Sequence, residues 1–424
     1  MLRLAQHDRI VFLLFLISVN SFFKEYFDRT TFFTVIGLVV IGLLSIYSAT
    51  FDAYEGRDFY RQLQWAILGF LSMLTMMVLP LRWLQRYAYT IFFTSLGLLV
   101  LVLVMGRRVY GSQSWLGIGN LGIQPSEFVK ITTMLALASF FSKGDVRATD
   151  FKDLIKASMF IALPIVLIMM QPDFGTALTF LAMFIPVLYW AGASKFLIII
   201  IIAPAIVATA SIIGTTPFLI VLILLGAGLW MLRNENRFIA SVVFGANVVI
   251  GFLVQIIYNK LPAYQQKRID TFLDPNNDPL GAGYNVIQAK VAIGSGGLWG
   301  KGFMKGTQTQ LNFIPKQWTD FIFCVPGEEF GFLGGVVVLG LYAFLLFHGI
   351  RLASITKNRF GSMLAIGFTS LFAFHIFINI GMSVGLMPVI GIPLPFLSYG
   401  GSSLVSYMMM AGLLMNVYAN RKEY

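Results

Sequence analysis

The sequence predicts an all-α polytopic membrane protein, and its composition is the main reason. Of the 424 residues, 58% are hydrophobic and only 12% are charged, and the mean hydropathy is +0.80. Soluble domains carry about 25% charged residues, so a soluble protein of this length is excluded. Many apolar runs approach the ~20 residues that a helix needs to cross a bilayer. We therefore expect a bundle of membrane-spanning helices.

Charge and cysteine content exclude two other classes of protein. The net charge is +11, but the lysines and arginines are scattered among the connections between apolar runs. No basic block with interleaved aromatic residues occurs, so nucleic acid is not an expected partner. The single cysteine, Cys324, excludes an intramolecular disulfide framework, and the sequence shows no metal-ligand spacing.

Apolar runs bounded by charged residues predict about twelve transmembrane helices. They are expected near residues 32–50, 63–80, 87–105, 125–142, 157–170, 174–192, 195–213, 217–233, 238–258, 321–350, 361–387 and 403–420. No small-residue cleavage site follows the shorter apolar run at 10–23, which argues against a removed signal peptide. We interpret residues 1–31 as a cytoplasmic or interfacial N-terminal segment and residues 32–424 as one membrane domain. A thirteenth span at 10–23 is the alternative.

The distribution of Lys and Arg predicts the orientation in the membrane. One set of alternate connections is rich in basic residues, whereas the short connections on the other side carry only Arg57, Arg61, Arg107 and Arg108. Basic residues concentrate on the cytoplasmic side, so both termini are expected in the cytoplasm. The one long polar connection, residues 259–319, is then a large extracytoplasmic loop.

Asp320 lies where this long loop meets the next apolar run. A carboxylate near the hydrocarbon is costly, so an acidic residue at such a boundary is a candidate functional residue. The residues alone support a second interpretation equally well, in which Asp320 caps a helix that begins at Phe321.

The loop itself is predicted to be folded and cationic. Apolar residues recur at helical spacing over 284–293, and the glycine-rich run 294–297 ends that short helix. Such a glycine cluster is typical of a cap and turn, or of close backbone approach to a phosphate-bearing ligand. Lys290, Lys301 and Lys305 would supply charge for an anionic ligand, and anionic lipid headgroups fit the same charge.

Three further polar segments fall on the same predicted side of the membrane. In 124–130, Glu127 and Lys130 have the spacing of an ion pair in the first turns of a helix, although Lys130 would lie within an apolar span. In 171–176, Asp173 either caps the following helix or contributes to a site. The prolines and glycines of 391–403 force a non-helical backbone, which at membrane depth is buried in protein or lines a cavity.

These segments together resemble the SEDS family (shape, elongation, division and sporulation proteins). The resemblance is carried by QPSEFVK at 124–130, QPDFGT at 171–176, FLDPNNDPLGAGY at 272–284, AIGSGG at 292–297, GKGF at 300–303, TDFIF at 319–323, GEEFG at 327–331 and GIPLPFLSYGGSS at 391–403. It covers about residues 30–420. The run GTQTQL at 306–311 is more similar to the elongation (RodA-like) branch than to the division (FtsW-like) branch.

The resemblance implies a peptidoglycan glycosyltransferase that polymerises lipid II on the outer face of the bacterial cytoplasmic membrane, for cell-wall elongation and rod shape. It also implies a class B penicillin-binding transpeptidase and the cell-elongation machinery as partners. The family's essential aspartate matches Asp320, and Trp115, Glu127 and Lys130 match other positions at which the family is sensitive to change.

Three features depart from the family pattern. The family commonly has Arg immediately before the matched tryptophan, whereas this chain has Ser114, and Arg107 or Arg108 is the candidate replacement. A His is frequent before the TDFIF motif, where this chain has Trp318. The family usually has ten spans, so residues 214–258 are expected to be a helical hairpin inserted into a ten-helix core.

The mechanism that follows uses Asp320 as the base that activates an acceptor sugar 4-hydroxyl, with polyprenyl pyrophosphate as leaving group. Cations would stabilise the departing pyrophosphate, and an uncharacterised divalent cation is a further candidate for that role. The candidate substrate-binding residues are Glu127, Lys130, Trp115, Gln124, Asp173, Arg268, Lys290, Lys301, Gln308, Ser398 and Ser402. Two alternatives stay open: a flippase for lipid-linked precursor, and a non-catalytic scaffold for the transpeptidase.

Overall fold

The computed structural model describes residues 26–54, 56–109, 112–118, 121–231, 237–261, 266, 270, 273, 283–311, 313–315 and 317–423. The run 10–23, Arg268 and most of 262–282 lie outside the described residues. The interfacial N-terminal helix and the substrate-binding role of Arg268 therefore stay predictions.

The described residues are mostly helical, with one small sheet. The helices are α1 Arg29–Tyr54, α2 Arg57–Val78, α3 Leu81–Met105, α4 Pro125–Phe141, α5 Phe151–Met169, α6 Phe174–Trp190, α7 Lys195–Ile213, α8 Thr215–Met231, α9 Arg237–Lys260, α10 Tyr284–Ser295, α11 Thr307–Gln310, α12 Cys324–Glu329, α13 Gly331–Ile355, α14 Arg359–Ser383 and α15 Gly401–Ala419. The strands are β1 Arg107–Val109, β2 Ser112–Ile118 and β3 Leu121–Ile123.

Each predicted span coincides with one long helix, so the prediction of a polytopic helical protein is confirmed. Within the described residues, seven helices are long and apolar enough to cross a membrane, namely α1, α3, α7, α9, α13, α14 and α15. Helices α6 and α8 are apolar but shorter. The count of twelve crossings stays a prediction.

Several helices begin earlier than hydropathy suggests. Helix α2 starts at Arg57 rather than near residue 63, and α5 starts at Phe151 rather than near residue 157. The extra turns contain charged residues, and hydropathy marks only the hydrocarbon-facing part of a helix. The side chain of Asp150 accepts a hydrogen bond from Lys152 N (3.0 Å), which caps α5 before its apolar part begins.

The predicted span 321–350 is wrong at its start. Residues 321–323 form turns, α12 follows, and α13 begins only at Gly331, which has φ +63°. A left-handed backbone of this kind suits glycine, because glycine has no Cβ to clash. The residues on both sides of the bend are apolar apart from Glu328 and Glu329, so an average over the whole run does not detect it.

A three-stranded antiparallel sheet between α3 and α4 was not anticipated. Strand β2 pairs with both β1 and β3, and Gly117 lies opposite Gly122 in the second pair. The connection is glycine-rich and short, so its sequence lacks the long alternating pattern that identifies a strand. The sheet lies directly before the helix that carries Glu127 and Lys130.

Helix α4 is the centre of the bundle. Every residue of this 17-residue helix except Phe128 is buried, even though the helix contains Glu127 and Lys130. A helix that is covered on all sides needs partners for each polar group. Helices α14 and α15, which are also largely buried, belong to the same apolar core.

Helices α7, α8 and α9 have a separate apolar cluster of their own. Its buried members are Phe196, Ala203, Val207, Phe218, Leu222, Leu225 and Leu229. The Ser211 hydroxyl donates to Gly251 O (2.6 Å), which ties α7 to α9. Helices α8 and α9 thus pack on α7, and the inserted helical hairpin at 214–258 stays a prediction.

Candidate functional site

Asp320 lies in a turn, and the helix that follows begins at Cys324 with Phe323 as its N-cap residue. The capping interpretation is therefore wrong, because no helix begins at Phe321. The Asp320 side chain is partly exposed. A Cβ built on Gly391 would lie 3.7 Å from Asp320 Oδ2, so this carboxylate lies beside the 384–400 connection between α14 and α15.

Ser398 holds the backbone next to Asp320. Its hydroxyl donates to Thr319 O (2.6 Å) and accepts from Leu394 N (2.8 Å), and its side chain is buried. Gln62 on α2 fixes the same stretch, since its Nε2 donates to Ser398 O (3.3 Å). The predicted substrate-binding serine is thus engaged within the protein in this structure.

Gln124, Asp173 and Ser402 meet one another, although they belong to three different segments. Gln124 Nε2 donates to Asp173 Oδ2 (3.0 Å), and Gln124 N donates to Ser402 Oγ (3.0 Å). Asp173 also accepts from Thr176 N (3.1 Å) at the start of α6, so the predicted cap is confirmed. Three of the predicted polar segments therefore share one place in the fold.

The same place includes the neighbourhood of Asp320. Gly175, at the start of α6, lies against Ile390 and Ile392, because a Cβ at Gly175 would be 3.0 Å from Ile390 O. Gly391 lies between those two residues and beside Asp320 Oδ2. These segments meet at one end of the bundle, which carries Gln124, Asp173, Asp320, Gly391 and Ser402. We name this end of the bundle the loop end.

Trp115 lies in β2 with Arg107 directly opposite it in β1. Paired residues of an antiparallel sheet project from the same face. The Trp115 ring lies over Gly122, where a Cβ would be 3.1 Å from the ring. The Arg107 guanidinium lies over Gly117, where a Cβ would be 3.0 Å from the guanidinium. A guanidinium is thus next to this tryptophan although position 114 is serine. The Arg108 side chain lies outside the described residues.

Glu127 and Lys130 form the predicted ion pair. Lys130 Nζ lies 2.8 Å from Glu127 Oε1, and the two side chains are 1% and 5% exposed. Ser406 Oγ on α15 donates to Glu127 Oε2 (3.3 Å). Removing one partner of such a pair leaves the other charge buried without compensation, so the pair is a fixed part of the core.

Two residues that the sequence did not connect to Lys130 complete its surroundings. Lys130 Nζ lies 5.6 Å above the ring of Tyr407, a cation–π distance. The Tyr407 hydroxyl lies 2.9 Å from His375 Nδ1, and that nitrogen lies 3.2 Å from Pro393 O. His375 and Tyr407 lie within apolar stretches of two different helices and look like ordinary core residues in the sequence. The sequence therefore gives no signal for their position beside Lys130.

The short helix predicted at 284–293 is confirmed as α10, and glycines end it as expected. The space beside these glycines is filled by the chain itself. A Cβ at Gly296 or Gly300 would collide with the carbonyl oxygen of Gly327 or Glu329. Gly296 is the C-cap residue, which supports the cap-and-turn interpretation, and the backbone that approaches these two glycines is that of α12. A phosphate-bearing ligand here stays a prediction. Lys290 on α10 is exposed and lies against Gly385.

Lys301 and Gln308 surround Glu328, an acid that the sequence analysis left without a role. Glu328 is fully buried and accepts from Lys301 Nζ (2.7 Å), Gln308 N (2.9 Å) and Thr309 N (2.9 Å). Burial alone would raise the pKa of the Glu328 carboxyl, but the hydrogen bonds from Lys301 and Thr309 hold that pKa below its ordinary value. A carboxylate in the GEEFG motif of an acid-poor chain was the available signal.

The loop end thus brings together Asp320, Ser398, Gln124, Asp173 and Ser402. Lys301 and Gln308 lie around Glu328. Among the described residues, no group of three or more His, Cys, Asp or Glu side chains is arranged to hold a metal ion. A divalent cation would there take most of its ligands from a substrate's phosphates.

Comparisons with known proteins agree with this architecture. The chain is 35% identical to the peptidoglycan glycosyltransferase RodA of Treponema pallidum over 430 residues, which cover 93% of this chain and 98% of that protein. It is also 35% identical to the peptidoglycan glycosyltransferase MrdB of Escherichia coli, over 94% of this chain and 95% of that protein.

Solved structures share the fold over nearly the whole chain. A chain from a peptidoglycan synthase complex, described as coordinating polymerization and crosslinking, matches with a TM-score of 0.70 at 28% identity and covers 94% of this chain and 99% of that chain. The rod shape determining protein RodA of Thermus thermophilus matches with a TM-score of 0.62 at 26% identity, over 94% and 98% of the two chains. The FtsW/RodA/SpoVE family model, described as cell cycle protein, matches residues 28–225 and 214–423, and the chain belongs to that family.

Proposed function

We propose that this chain is a peptidoglycan glycosyltransferase of the RodA branch that polymerises lipid II, with Asp320 as its catalytic base. The observation that carries the proposal is the meeting of three separate polar segments beside Asp320, in a chain of this family. A site built from distant parts of the sequence is typical of a binding or catalytic centre. The curated names of the RodA and MrdB relatives supply the reaction.

The chemistry assigned to Asp320 is removal of one proton. As the acceptor sugar 4-hydroxyl oxygen bonds to the anomeric carbon of the donor, its proton passes to the Asp320 carboxylate. The bond between that carbon and the pyrophosphate oxygen breaks, and polyprenyl pyrophosphate leaves with the electron pair. A carboxylate base of this kind contributes roughly 10²–10⁴-fold to a rate. Partial exposure of Asp320 gives a substrate hydroxyl a way to reach it.

Among the candidate cations, Lys290 is best placed to meet the pyrophosphate. Lys130 and Lys301 each have an internal carboxylate partner at 2.8 and 2.7 Å, whereas Lys290 is exposed. Helix α10, which carries Lys290, packs through Ala289 and Ala292 on Phe321, the residue after Asp320. An exposed ammonium group there would stabilise charge that develops on the leaving group.

The setting that we propose for this reaction follows from the charge distribution and from the relatives. Both termini lie in the cytoplasm and the loop end faces outward, because basic residues concentrate in the other set of connections. The partner is a class B penicillin-binding transpeptidase of the cell-elongation machinery. A solved relative that belongs to a peptidoglycan synthase complex supports the presence of such a partner.

The test is polymerisation by purified protein. Wild type, Asp320→Asn and the control Asp150→Asn are given fluorescent lipid II in detergent, with and without the transpeptidase, and glycan polymer is separated on gels. Asp150 caps α5, and asparagine preserves that cap, so this control should polymerise at the wild-type rate. The Asp320→Asn variant should be slower by at least ~100-fold at unchanged thermal stability.

Other outcomes separate the alternative functions. Comparable polymer from Asp320→Asn would remove Asp320 as the base. Absence of polymer from every variant, together with transfer of labelled lipid II across liposome membranes, would favour a flippase. Polymer only from the transpeptidase preparation would favour a scaffold.

A further inference from the structure

The backbone that carries Asp320 is held at three consecutive carbonyl groups. Their donors all come from α14 or from the 384–400 connection. Tyr399 N donates to Trp318 O (2.8 Å), Ser398 Oγ to Thr319 O (2.6 Å) and Asn379 Nδ2 to Asp320 O (2.9 Å). A turn whose three carbonyl groups are all hydrogen-bonded has little freedom to move. The backbone therefore fixes the direction in which the Asp320 side chain projects.

Asn379 differs from the other two donors because its amide also binds a second carbonyl. Its Nδ2 donates to Ile392 O (2.8 Å), and the residue is 0% exposed on α14. An amide nitrogen has two hydrogens, and these two acceptors use both of them. Because both partners are acceptors, only the nitrogen side of the amide fits here, which fixes its orientation.

Asn379 joins carbonyl groups from the two segments that meet at the Asp320 side chain. One is the carbonyl of Asp320 itself. The other is the carbonyl of Ile392, whose neighbour Gly391 lies beside Asp320 Oδ2. The connection turns through the left-handed region at Gly391 (φ +75°), which suits glycine, and is strained at the buried Phe396 (φ +68°). Strained backbone persists only where its surroundings hold it in place.

We propose that Asn379 is a positioning residue for the glycosyl transfer, which sets the distance between the Asp320 carboxylate and the 384–400 connection by holding both backbones with one side chain. This inference rests on the proposed function. A displacement of about 1 Å at a reacting group costs up to ~100-fold in rate, and groups that orient a catalytic residue typically contribute about 10–100-fold.

A purely structural role is the competing explanation, because a buried amide that satisfies two carbonyls also stabilises the fold. The chain offers a matched control at the opposite end of the bundle. Asn416 on α15 is 1% exposed, and its Nδ2 donates to Met76 O (2.8 Å) and Leu79 O (2.5 Å) at the end of α2. The two asparagines make the same kind of bridge, and only one of the bridges touches Asp320.

The experiment measures kcat, KM and thermal unfolding for Asn379→Ala, Asn379→Asp, Asn416→Ala and Asp320→Asn, each in complex with the transpeptidase. Asn379→Asp keeps the volume of the side chain and removes the amide donors, so it separates loss of the bridge from loss of packing. Both Asn379 variants should lose about 10–100-fold in kcat with KM changed by less than about twofold. Asn416→Ala should lose thermal stability and keep its kcat.

A further arm tests whether Asn379 acts through Asp320. Adding Asn379→Ala to Asp320→Asn should cost nothing beyond the single Asp320 change, because two residues that act as one unit are not additive. If both Asn379 variants match Asn416→Ala in kcat while Asp320→Asn is inactive, the inference is overturned and the proposed function stands. If Asp320→Asn is itself active, the proposed base and the inference fall together.

Discussion

Asp320 and Glu328 lie eight residues apart in one stretch of the chain, yet the fold treats their carboxylates in opposite ways. Glu328 is fully buried, and Lys301 and the start of α11 donate to its oxygens. Asp320 is partly exposed, and the fold holds it by its backbone carbonyl. The first carboxylate is an anchor, whereas the second remains within reach of a substrate.

The difference shows what distinguishes a structural acid from a candidate base. A buried carboxylate with a full set of donors has a lowered pKa and no room for a second partner, so it has little use in proton transfer. A catalytic base needs a carboxylate that the substrate can reach. Its position can be fixed through hydrogen bonds to its backbone. Each role predicts a different response to substitution.

The largest effect on stability should follow Glu328→Ala. This change leaves the partly exposed Lys301 without its anion and the amides of Gln308 and Thr309 without their acceptor, and each buried donor left unsatisfied costs about 1–3 kcal/mol. Thermal unfolding in detergent measures the loss. The pair of Lys156 with Asp153 supplies the control, since Lys156 is exposed and Asp153 keeps a hydrogen bond from Arg147 N, so Lys156→Met should cost less than about 1 kcal/mol. A wild-type midpoint for Glu328→Ala would contradict the anchoring role.

A smaller, pH-dependent effect is expected at Glu329. Burial raises the pKa of its carboxyl, and the nearby Glu328 charge adds to that, so the folded protein keeps a proton that the unfolded chain releases. Stability therefore falls as pH rises from the ordinary glutamate range through the raised folded pKa.

Glutamine imitates the protonated form, so Glu329→Gln should gain unfolding temperature relative to wild type as pH rises through that window. Below the ordinary pKa of glutamate the two proteins should respond alike to pH. Unfolding curves from about pH 4 to pH 8 test this, because that interval begins near the ordinary glutamate pKa. A difference between the two proteins that does not change with pH would contradict the protonated state.

The smallest effect should come from a region that touches neither carboxylate. Removing residues 214–258 deletes α8 and α9 and most of an apolar cluster that is distinct from the main core. Polymerisation should stay within about threefold of wild type, because additivity holds for distant sites. The lipid II assay measures it, and loss of activity in a well-folded deletion variant would show that the hairpin supports the site.

The positions of the long helices were predictable because most of them contain a continuous apolar run. For α7, the predicted span 195–213 has the same bounds as the helix, Lys195–Ile213. The convergence of the polar segments was also predictable, since alternate connections lie on the same side of a membrane. The bend at Gly331 was not predictable, because the long apolar runs on both sides of it outweigh Glu328 and Glu329 in a hydropathy average.

The partners of the site residues were hidden for a different reason. Asn379 and Tyr407 lie in long apolar helices, and only the packing of α14 and α15 brings them to Asp320 and Lys130. A motif shows which residues belong together in sequence, but a hydrogen bond between distant helices leaves no local pattern. Glu328 differs from these residues, because a charged residue in an acid-poor chain is a signal that the sequence itself contains.

The central position of α4 has a consequence for biogenesis. A 17-residue segment that contains Glu127 and Lys130 enters the bilayer poorly by itself, since each such charge costs several kcal/mol at membrane depth. Ser406 and Tyr407, which complete the surroundings of this pair, belong to α15, which is synthesised long after α4. Helix α4 therefore reaches its final environment only after α15 has been synthesised, and truncation before α15 leaves its charges without these partners.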